Sequence, residues 1–292
     1  MLRVDDVTKV FRVGTFGGKT LTAVSNVSFE VQPGEVVSLI GESGSGKTTV
    51  GRMILRLTPI TAGSINFDGV DVAQLSGRRL RSYYAHVQGV FQDPFSSYNP
   101  IFKADRVFAL VRHSYLSDLS QSEWNQRLGD ALEAVVLEPS DVLNKYPHQL
   151  SGGQLQRLLI ARALMLDLRF LVADEIISML DASTRIDVLN LLGQLKERGL
   201  GVLFITHDLS LGNYISDKTL ILRRGRIAEL GATHKVFGNP QHPYTRALLA
   251  SVPQLHRKWS TDAHDLVGEM PEHDPSVMET LVQVEDDHFV AR

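Results

Sequence analysis

The sequence contains no cysteine, which excludes disulfide bonds, thiolate metal sites, iron–sulfur clusters and cysteine nucleophiles together. Positive charge is not in excess either, since 30 Lys and Arg residues stand against 33 Asp and Glu residues. A chain with this balance has little with which to neutralise a phosphate backbone, so we do not expect nucleic acid as its partner. Apolar runs of about 18 residues are also lacking, and we expect other chains to supply any membrane-spanning part.

The order of secondary structure along the sequence predicts an α/β fold. Segments rich in Val, Ile, Leu, Phe and Thr predict strands at Leu2–Val13, Leu21–Val31, Val36–Ile40, Ser64–Phe67, Phe170–Ala173 and Val202–Thr206. Residues from about 93 to 167 favour helices instead, most clearly at Ser122–Val136 and Gln154–Met165. Strands that alternate with helices form mostly parallel sheets, so we interpret the helical stretch as an insertion into such a sheet.

The composition changes once more towards the end of the chain. Asn239–Pro243 interrupts the preceding pattern, and Tyr244–Ser251 is predicted to form a short helix. The tail after Ser260 is acidic and weakly periodic, so we predict a solvated extension or a partner contact that is dispensable for hydrolysis. We therefore place a main domain at residues 1–236 and a C-terminal extension at residues 237–292.

A glycine-rich segment follows the predicted strand Val36–Ile40. Residues 41–48 match the phosphate-loop pattern G-x-x-x-x-G-K-[ST], and a helix is predicted from about Lys47 to Leu57. Glycine is needed because the backbone must wrap the phosphates with its N–H groups pointing inward. Lys47 is expected to reach the β- and γ-phosphates, and the Thr48 hydroxyl to ligate Mg²⁺. The predicted nucleotide-binding residues are Gly41, Glu42, Ser43, Gly44, Ser45, Gly46, Lys47, Thr48 and Thr49.

Two further segments carry residues suited to phosphate chemistry. At Leu150–Gln154, a serine is followed by two glycines that open a predicted helix, and this arrangement offers bare amides at a positive helix end. At Phe170–Glu175, an apolar strand delivers two carboxylates to its C-terminal end, the edge at which parallel sheets bind ligands. Capped helices and acidic strand ends are common when taken singly, so the order of all three segments carries the functional interpretation.

In this order, the three segments resemble the phosphate loop, the signature and the Walker B motif of ABC ATPases. The signature match extends over Tyr146–Arg157, and the resemblance covers about residues 1–255. It implies a RecA-like parallel-sheet core with an N-terminal antiparallel β-subdomain and an inserted helical subdomain at about residues 93–167. It also implies that the chain binds ATP with Mg²⁺ and hydrolyses ATP to ADP and phosphate.

The resemblance assigns catalytic roles to individual residues. Glu175 would polarise the attacking water, as a general base does. His207, which ends the strand Val202–Thr206, is similar to the switch histidine that contacts the γ-phosphate. Gln92 resembles the Q-loop glutamine; Gln88 is a nearby alternative, and Gln92 is favoured by the sequence around it.

Binding roles follow from the same resemblance. Magnesium would be held by Thr48, Gln92 and, through water, Asp174. Asp181 resembles the D-loop residue at the interface of two ATPase subunits, and Phe11 is the best match for the aromatic residue that stacks on adenine. The signature residues would act on ATP bound to the second subunit, and they are Ser151, Gly152, Gly153 and Gln154.

One position departs from the family pattern. The family usually has proline directly after the catalytic glutamate, whereas this chain has Ile176. Proline would fix φ and remove an N–H, so we expect Ile176 to loosen the placement of Glu175. Every motif is present, and we still predict hydrolysis.

Two segments favour the oligopeptide/dipeptide importer branch of the family. Phe91–Pro100 resembles its extended Q-loop, and Asn239–Leu249 resembles its His-Pro-Tyr module. The zero cysteine count excludes the iron–sulfur site that several members carry in this region. The branch implies a peripheral subunit at the cytoplasmic face of the membrane, with a second ATPase subunit (a paralogue or an identical copy), two transmembrane permease subunits and an extracytoplasmic solute-binding protein. Oligosaccharides and other small solutes stay open beside peptides, because the solute contacts the other subunits.

Two other classes of protein are compatible with an ABC ATPase core. Soluble ABC ATPases act on chromosomes or ribosomes, but the chromosome type places a long heptad-rich coiled coil between phosphate loop and signature, and none is visible here. The ribosome type usually carries two cassettes in one chain, whereas one is present here. A nucleotide-sensing module without hydrolysis is disfavoured because Glu175 and His207 are both present.

Overall fold

A computed structural model describes residues 1–13, 18–251 and 280–292 of the chain. Its strands are β1 (Leu2–Val13), β2 (Lys19–Val31), β3 (Val36–Ile40), β4 (Ala62–Phe67), β5 (Val70–Asp71), β6 (Val87–Val90), β7 (Phe170–Asp174), β8 (Gly201–Thr206), β9 (Lys218–Arg223), β10 (Arg226–Ala232), β11 (Leu281–Glu285) and β12 (His288–Ala291). Its helices are α1 (Lys47–Ile54), α2 (Gly77–His86), α3 (Arg106–Tyr115), α4 (Gln121–Ala134), α5 (Pro139–Val142), α6 (Gly152–Leu164), α7 (Ala182–Glu197), α8 (Leu209–Ile215), α9 (Thr233–Gly238) and α10 (Pro243–Ala250). Among the described residues, no helix is both long enough and apolar enough to cross a membrane.

The chain divides into two compact units. The first unit is assembled from Met1–Val31, Glu35–Ala73 and Leu203–Arg292, and the second from Gln32–Gly34 and Gln74–Val202. The second unit therefore contains the helical stretch at about residues 93–167 together with β6, β7 and α7. The main domain at 1–236 and its C-terminal extension stay a prediction beside this division.

A four-stranded antiparallel sheet opens the first unit, with the strand order β2-β1-β4-β5. Strand β1 pairs antiparallel with both β2 and β4, and Leu2 stands opposite Val31 on one side and Phe67 on the other. Along β1 the side chains of Leu2 and Val4 are buried, because alternate residues of a strand point to the same face, and Val7 is buried after an irregularity in the pairing with β2 between Val4 and Val7. The N-terminal antiparallel β-subdomain implied by the resemblance is confirmed.

The larger sheet of the first unit contains strands in the order β11-β12-β10-β9-β3-β8, with residues Leu203–Thr206 of β8 belonging to this unit. Strand β3 runs parallel to β9, and all of its residues are buried. A short, fully buried strand that is apolar at four of its five positions suits a sheet covered on both faces, and the hydroxyl of Ser38 at the fifth position is 2.9 Å from the hydroxyl of Thr219. The predicted α/β class is therefore confirmed, and β3 leads directly into the phosphate loop.

The second unit combines a parallel pair of strands with helices. Strands β6 and β7 are parallel, with Val87 opposite Phe170 and Val90 opposite Ala173. Helix α4 begins with a complete capping box between Ser120 and Glu123, which satisfies two amides at the helix start. Most of α6 is buried, and the side chains that it contributes to the core are Leu155, Gln156, Leu158, Leu159, Ile160, Ala161 and Ala163.

The end of the chain forms a β-hairpin that the sequence analysis did not predict. Strands β11 and β12 pair antiparallel, and β12 also pairs with β10, where Val290 stands opposite Glu229. His288 is fully buried in this position. The prediction of a solvated extension is therefore wrong for residues 288–291, while residues 260–279 lie outside the described part of the chain.

Candidate functional site

The phosphate loop of the first unit connects the end of β3 to the start of α1. Gly44 and Gly46 have φ values of 80° and 107°, which lie in the left-handed region that side chains disfavour. A Cβ atom on Gly41 would stand 2.2 Å from the backbone oxygen of Leu222, so only glycine fits there. Gly46 is the N-cap of α1 and supplies no side-chain cap. The helix therefore begins with amides that a phosphate can bind.

Lys47 and Ser45 give the loop its polar interior. Lys47 is buried, and its Nζ donates to the carbonyl oxygens of Gly41 at 2.7 Å and Glu42 at 2.8 Å. The Ser45 carbonyl accepts from the N–H of Gly225 at 2.8 Å, which fastens the loop to the turn between β9 and β10. The Ser45 hydroxyl is buried without a hydrogen-bond partner among the described residues. A buried ammonium, an unsatisfied hydroxyl and an uncapped helix start together suit an anionic phosphate chain.

The remaining predicted residues of the first unit are at least partly accessible to solvent. Thr48 is exposed and Thr49 is half-buried at the start of α1. His207 directly follows β8 and is exposed, and the next residue, Asp208, caps α8 by accepting from the N–H of Ser210 at 2.9 Å. A partly exposed histidine at a fixed strand end is available to a ligand.

Phe11 lies on β1, opposite Leu21 of β2. Its ring is half-buried, and the Nζ of Lys9 stands 4.8 Å from the ring centroid. Lys9 itself is anchored by a 2.7 Å hydrogen bond to the carbonyl of Pro59. The assignment of Phe11 to adenine stacking stays a prediction, and partial exposure of the ring is what that assignment requires.

The signature segment of the second unit forms a self-capped helix start. The Ser151 hydroxyl accepts from the N–H of Gln154 at 3.1 Å, and the Gln154 side chain accepts from the N–H of Ser151 at 2.9 Å. A Cβ atom on Gly153 would lie 3.3 Å from Cδ2 of Leu180, while one on Gly152 would have only the ring of Phe95 nearby, at 3.7 Å. The predicted N-cap at Ser151 is present as a capping box.

The two acidic residues follow a fully buried strand. Asp174 ends β7 and is buried, and Glu175 adopts a φ of 52°, which is uncommon for a residue other than glycine. Backbone conformations of this kind concentrate at functional sites. The carbonyl of Glu175 accepts from the N–H of Ser178 at 3.1 Å and from its hydroxyl at 2.9 Å.

Ile176, where the family usually has proline, is fully buried. Its side chain is part of the core, and the turn after Glu175 is closed by Ser178. Hydrogen bonds from Ser178 therefore hold the turn without a proline. The backbone contacts of Glu175 give no support to the expected loosening.

The predicted Q-loop glutamine is accessible to solvent, whereas the side chain of its nearby alternative forms a hydrogen bond. Gln92 is exposed beyond the end of β6, whereas the side chain of Gln88 donates to the carbonyl of Tyr84 on α2. These positions support the preference for Gln92. Sequence reasoning missed Gln156, a fully buried residue of α6 whose amide donates to the carbonyl of Phe91 at 3.0 Å.

Gln156 holds the residue before Gln92 against the signature helix, and a second bond adds to this contact. The hydroxyl of Tyr98 donates to the carbonyl of Leu155 at 2.9 Å. Burial raises the pKa of Tyr98, so its hydroxyl keeps its proton and can donate. The sequence signal that could have pointed to Gln156 is its place inside the extended signature match Tyr146–Arg157.

Asp181, the predicted D-loop residue, caps α7. Its carboxylate accepts from the Ser183 hydroxyl at 2.6 Å, from the Thr184 N–H at 3.0 Å and from the Thr184 hydroxyl at 2.9 Å. These hydrogen bonds, with the Ser183 bond first among them, lower the pKa of Asp181. The carboxylate therefore stays ionised throughout the neutral pH range and supports the start of α7.

The first unit thus carries Phe11, the phosphate loop and His207, and the second carries Gln92, the signature, Asp174, Glu175 and Asp181. Comparison with known proteins identifies this set of motifs. Residues 24–178 match the protein family described as ABC transporter.

The chain belongs to the ABC transporter family. It is an ATP-binding ATPase subunit of the ABC class, and its residues 228–278 match the region described as "Oligopeptide/dipeptide transporter, C-terminal region". The family and the branch to which the sequence motifs pointed are both confirmed.

Relatives of this ABC subunit match over most of their length. The oligopeptide transport ATP-binding protein OppF of Streptococcus mutans is 39% identical over 295 residues, which cover 99% of this chain and 94% of OppF. The oligopeptide transport ATP-binding protein AppF of Bacillus subtilis is 41% identical over 281 residues, covering 93% and 84% of the two chains.

A solved structure shares the fold. The ATP-binding cassette MJ0796, in a dimeric post-hydrolysis state bound to ADP and phosphate, superposes with a TM-score of 0.72 at 30% identity, covering 80% of this chain and 99% of the cassette. The ABC-type ATPase fold predicted from the sequence is therefore confirmed.

Proposed function

We propose that this ABC subunit hydrolyses ATP to energise the uptake of oligopeptides, dipeptides or related small solutes, oligosaccharides among them. The observation that carries the proposal is the joint presence of two features in one unit: a phosphate loop with an uncapped helix start, and the C-terminal module of oligopeptide transporters at residues 228–278. The names of OppF and AppF, both oligopeptide transport ATP-binding proteins, support this branch.

The chemistry proposed for the site is attack of water on the γ-phosphate of ATP. The water oxygen bonds to the γ-phosphorus while the bond to the β,γ-bridging oxygen breaks, and Glu175 accepts the proton of the water. Lys47 and the amides at the start of α1 stabilise the phosphate charge that develops. His207 is proposed to contact the γ-phosphate, and Gln92 to contact the water.

Magnesium fits the oxygen donors that the chain offers. Thr48 presents an exposed hydroxyl, Asp174 a carboxylate at a strand end and Gln92 an exposed amide oxygen, and hard oxygen ligands of this kind suit Mg²⁺. When bound, the ion would neutralise charge on the phosphates. The proposed magnesium ligands are thus Thr48, Gln92 and, through water, Asp174.

The signature is proposed to act on the nucleotide of a second ATPase subunit, either an identical copy or a paralogue. Ser151 is exposed at the start of α6, and a serine hydroxyl that accepts from its own helix can still donate to a phosphate oxygen. Asp181 at the start of α7 is proposed to lie at the same subunit interface. Two transmembrane permease subunits and an extracytoplasmic solute-binding protein complete the proposed assembly, with this chain at the cytoplasmic face of the membrane.

Co-purification tests this assignment. The full chain, affinity-tagged, is recovered from detergent-solubilised membranes with Mg-ATP present, and the Lys47→Ala variant serves as the control for nucleotide-dependent association. We expect two polytopic membrane proteins to accompany the chain, and the ATPase rate of the reconstituted complex to rise when solute-loaded binding protein is added. Recovery with ribosomes or with DNA instead would contradict the transport function.

A further inference from the structure

The start of the His-Pro-Tyr module is held by a buried carboxylate. Glu229 on β10 is fully buried, and its Oε1 accepts from the N–H of Gln241 at 2.8 Å while its Oε2 accepts from the N–H of His242 at 3.0 Å. Nε2 of His288, on β12, lies 2.7 Å from the same Oε1. A buried carboxylate with several hydrogen-bonding partners is costly to displace. The segment that precedes α10 therefore has a fixed place against β10.

Helix α10 transmits this placement to Tyr244. Pro243 opens the helix, and Nδ1 of His242 accepts from the N–H of Tyr244 at 3.0 Å, so the first turn is capped. The ring of Tyr244 is buried in a core cluster with Ile40 and Val236. The guanidinium of Arg223 stands 5.3 Å from the ring centroid, and burial raises the pKa of Tyr244 to about 12. Its hydroxyl is therefore neutral near pH 7 and its position is set by packing.

That hydroxyl meets the phosphate loop. The N–H of Glu42 donates to Oη of Tyr244 at 3.2 Å, although 202 positions separate the two residues in the sequence. The carbonyl of Glu42 accepts from Nζ of Lys47 at 2.8 Å. Glu42 is thus held through its N–H by Tyr244 of the C-terminal module. Its carbonyl is held by Lys47, the lysine proposed to bind the phosphates.

We propose that Tyr244 is a positioning residue for ATP binding, which holds the first limb of the phosphate loop in the conformation that receives nucleotide. The inference depends on ATP binding by the loop and is independent of the transported solute. A loop without this anchor occupies other conformations when empty, and only the competent fraction binds. The apparent affinity for ATP then falls in proportion to that fraction.

The Tyr244→Phe variant removes only the acceptor oxygen. A neutral hydrogen bond of this kind stabilises its conformation by a factor of about 2 to 12, so we expect the Kd for ATP, measured by titration calorimetry on the full chain, to rise by up to about that factor. Bound nucleotide itself holds the loop, so kcat at saturating ATP should change little while KM rises. This split between KM and kcat is the signature of a positioning role.

A matched variant separates positioning from stability. Val236→Ala removes two methyl groups from the cluster that contains Tyr244 and leaves its hydroxyl in place. It should lower the melting temperature and leave the Kd of the folded protein unchanged, because a general loss of stability reduces the number of competent sites and not their affinity. Equal Kd values for Tyr244→Phe and the wild type, or equal Kd increases in both variants, would overturn the proposal.

A measurement on the wild-type chain covers the case in which Tyr244→Phe does not fold. Amide hydrogen exchange should be slower at Glu42 than at Ser43, since the Glu42 N–H has a buried acceptor. Fast exchange at Glu42 would also overturn the proposal. Failure of the wild-type chain to bind ATP would instead count against its function as an ATPase, so the two failures are distinguishable.

Discussion

Each unit contains a helix that begins at glycine-rich residues and can bind an anion, and the two helix starts differ in whether side chains cap their N–H groups. Helix α1 begins after Gly46, which offers no side-chain cap, whereas α6 begins with a capping box between Ser151 and Gln154. The phosphate loop thus leaves its amides to a ligand, and the signature helix satisfies two of its own. A helix start whose N–H groups are already capped is stable without a ligand. It can therefore remain empty until a second subunit brings its bound nucleotide. The difference agrees with binding by the phosphate loop itself and a contribution in trans by the signature.

Glu175→Gln separates the chemistry from both anion sites and has the largest expected effect. The amide keeps the size of the side chain but cannot accept the proton of the water. We expect kcat to fall by about 10²–10⁴-fold, equivalent to roughly 3–5 kcal/mol of transition-state stabilisation. Steady-state ATPase measurements check the rate, and calorimetry should find ATP binding intact.

Sedimentation with Mg-ATP extends this test. Unhydrolysed ATP should raise the dimer population of Glu175→Gln above that of the wild type, because a ligand stabilises the state that binds it best. Turnover close to normal would mean that another residue activates the water.

Gly153→Leu tests whether the signature helix acts on a partner's nucleotide. The new side chain contacts Leu180, a flexible side chain, so the fold should survive while approach of a second subunit is blocked. Loss of donors to the developing phosphate charge should lower turnover by about 10²–10³-fold. ATP binding by the isolated chain should be unchanged. Gly129→Leu, where nothing lies within 4 Å of the added Cβ, is the control for a bulky residue inside a helix. Loss of binding in Gly153→Leu alone would contradict action in trans.

Lys47→Ala tests nucleotide binding by the phosphate loop, the other of the two helix starts compared above. Charged hydrogen bonds to two phosphates disappear, and we expect the affinity of the isolated chain for Mg-ATP to fall by about 10²-fold. Titration calorimetry measures the change, and Lys103→Ala, on the surface of the second unit, is the control for loss of a lysine. An unchanged Kd would remove Lys47 from its assigned role.

His288→Ala tests the buried contact with Glu229 that holds the start of the His-Pro-Tyr module. Through Tyr244, this module is inferred to position the phosphate loop. Removing the imidazole takes one hydrogen-bonding partner from the fully buried Glu229, which should cost about 1–3 kcal/mol of folding free energy. His288→Gln retains an N–H donor and should recover part of the loss. Thermal denaturation of both variants decides the matter, and a melting temperature unchanged in His288→Ala would show that the contact between His288 and Glu229 does not stabilise the fold.

The parts of the site that could be predicted from the sequence are those whose residues lie close together along the chain. The spacing of Gly41, Gly46 and Lys47 requires a loop of one shape, and Ser151 followed three residues later by Gln154 requires a capped helix start. Both patterns are local in the sequence, so they can be recognised without knowledge of distant residues. The bond between Gln156 and Phe91, and the pairing of Glu229 with His288, join residues 65 and 59 positions apart. Contacts over such separations leave no periodic pattern.

The same reason explains why the tail was misjudged. Strands β11 and β12 are short, and exposed residues dominate β11, so the segment has the composition of a solvated extension. What makes β12 a core strand is the unpaired edge of β10, which lies far away in the sequence. Burial of His288 depends on Glu229 being present at that edge.

Because the first unit is assembled from three separate chain segments, parts that contact each other in the fold are translated at different times. The second unit is almost wholly contained in Gln74–Val202 and can assemble as soon as those residues have been translated. The phosphate loop is translated much earlier, yet its neighbours Leu222, Gly225 and Tyr244 belong to β9, to the turn after β9 and to α10. A nascent chain therefore carries its nucleotide loop without the partners that shape it until β9, the turn that follows β9 and α10 have been translated.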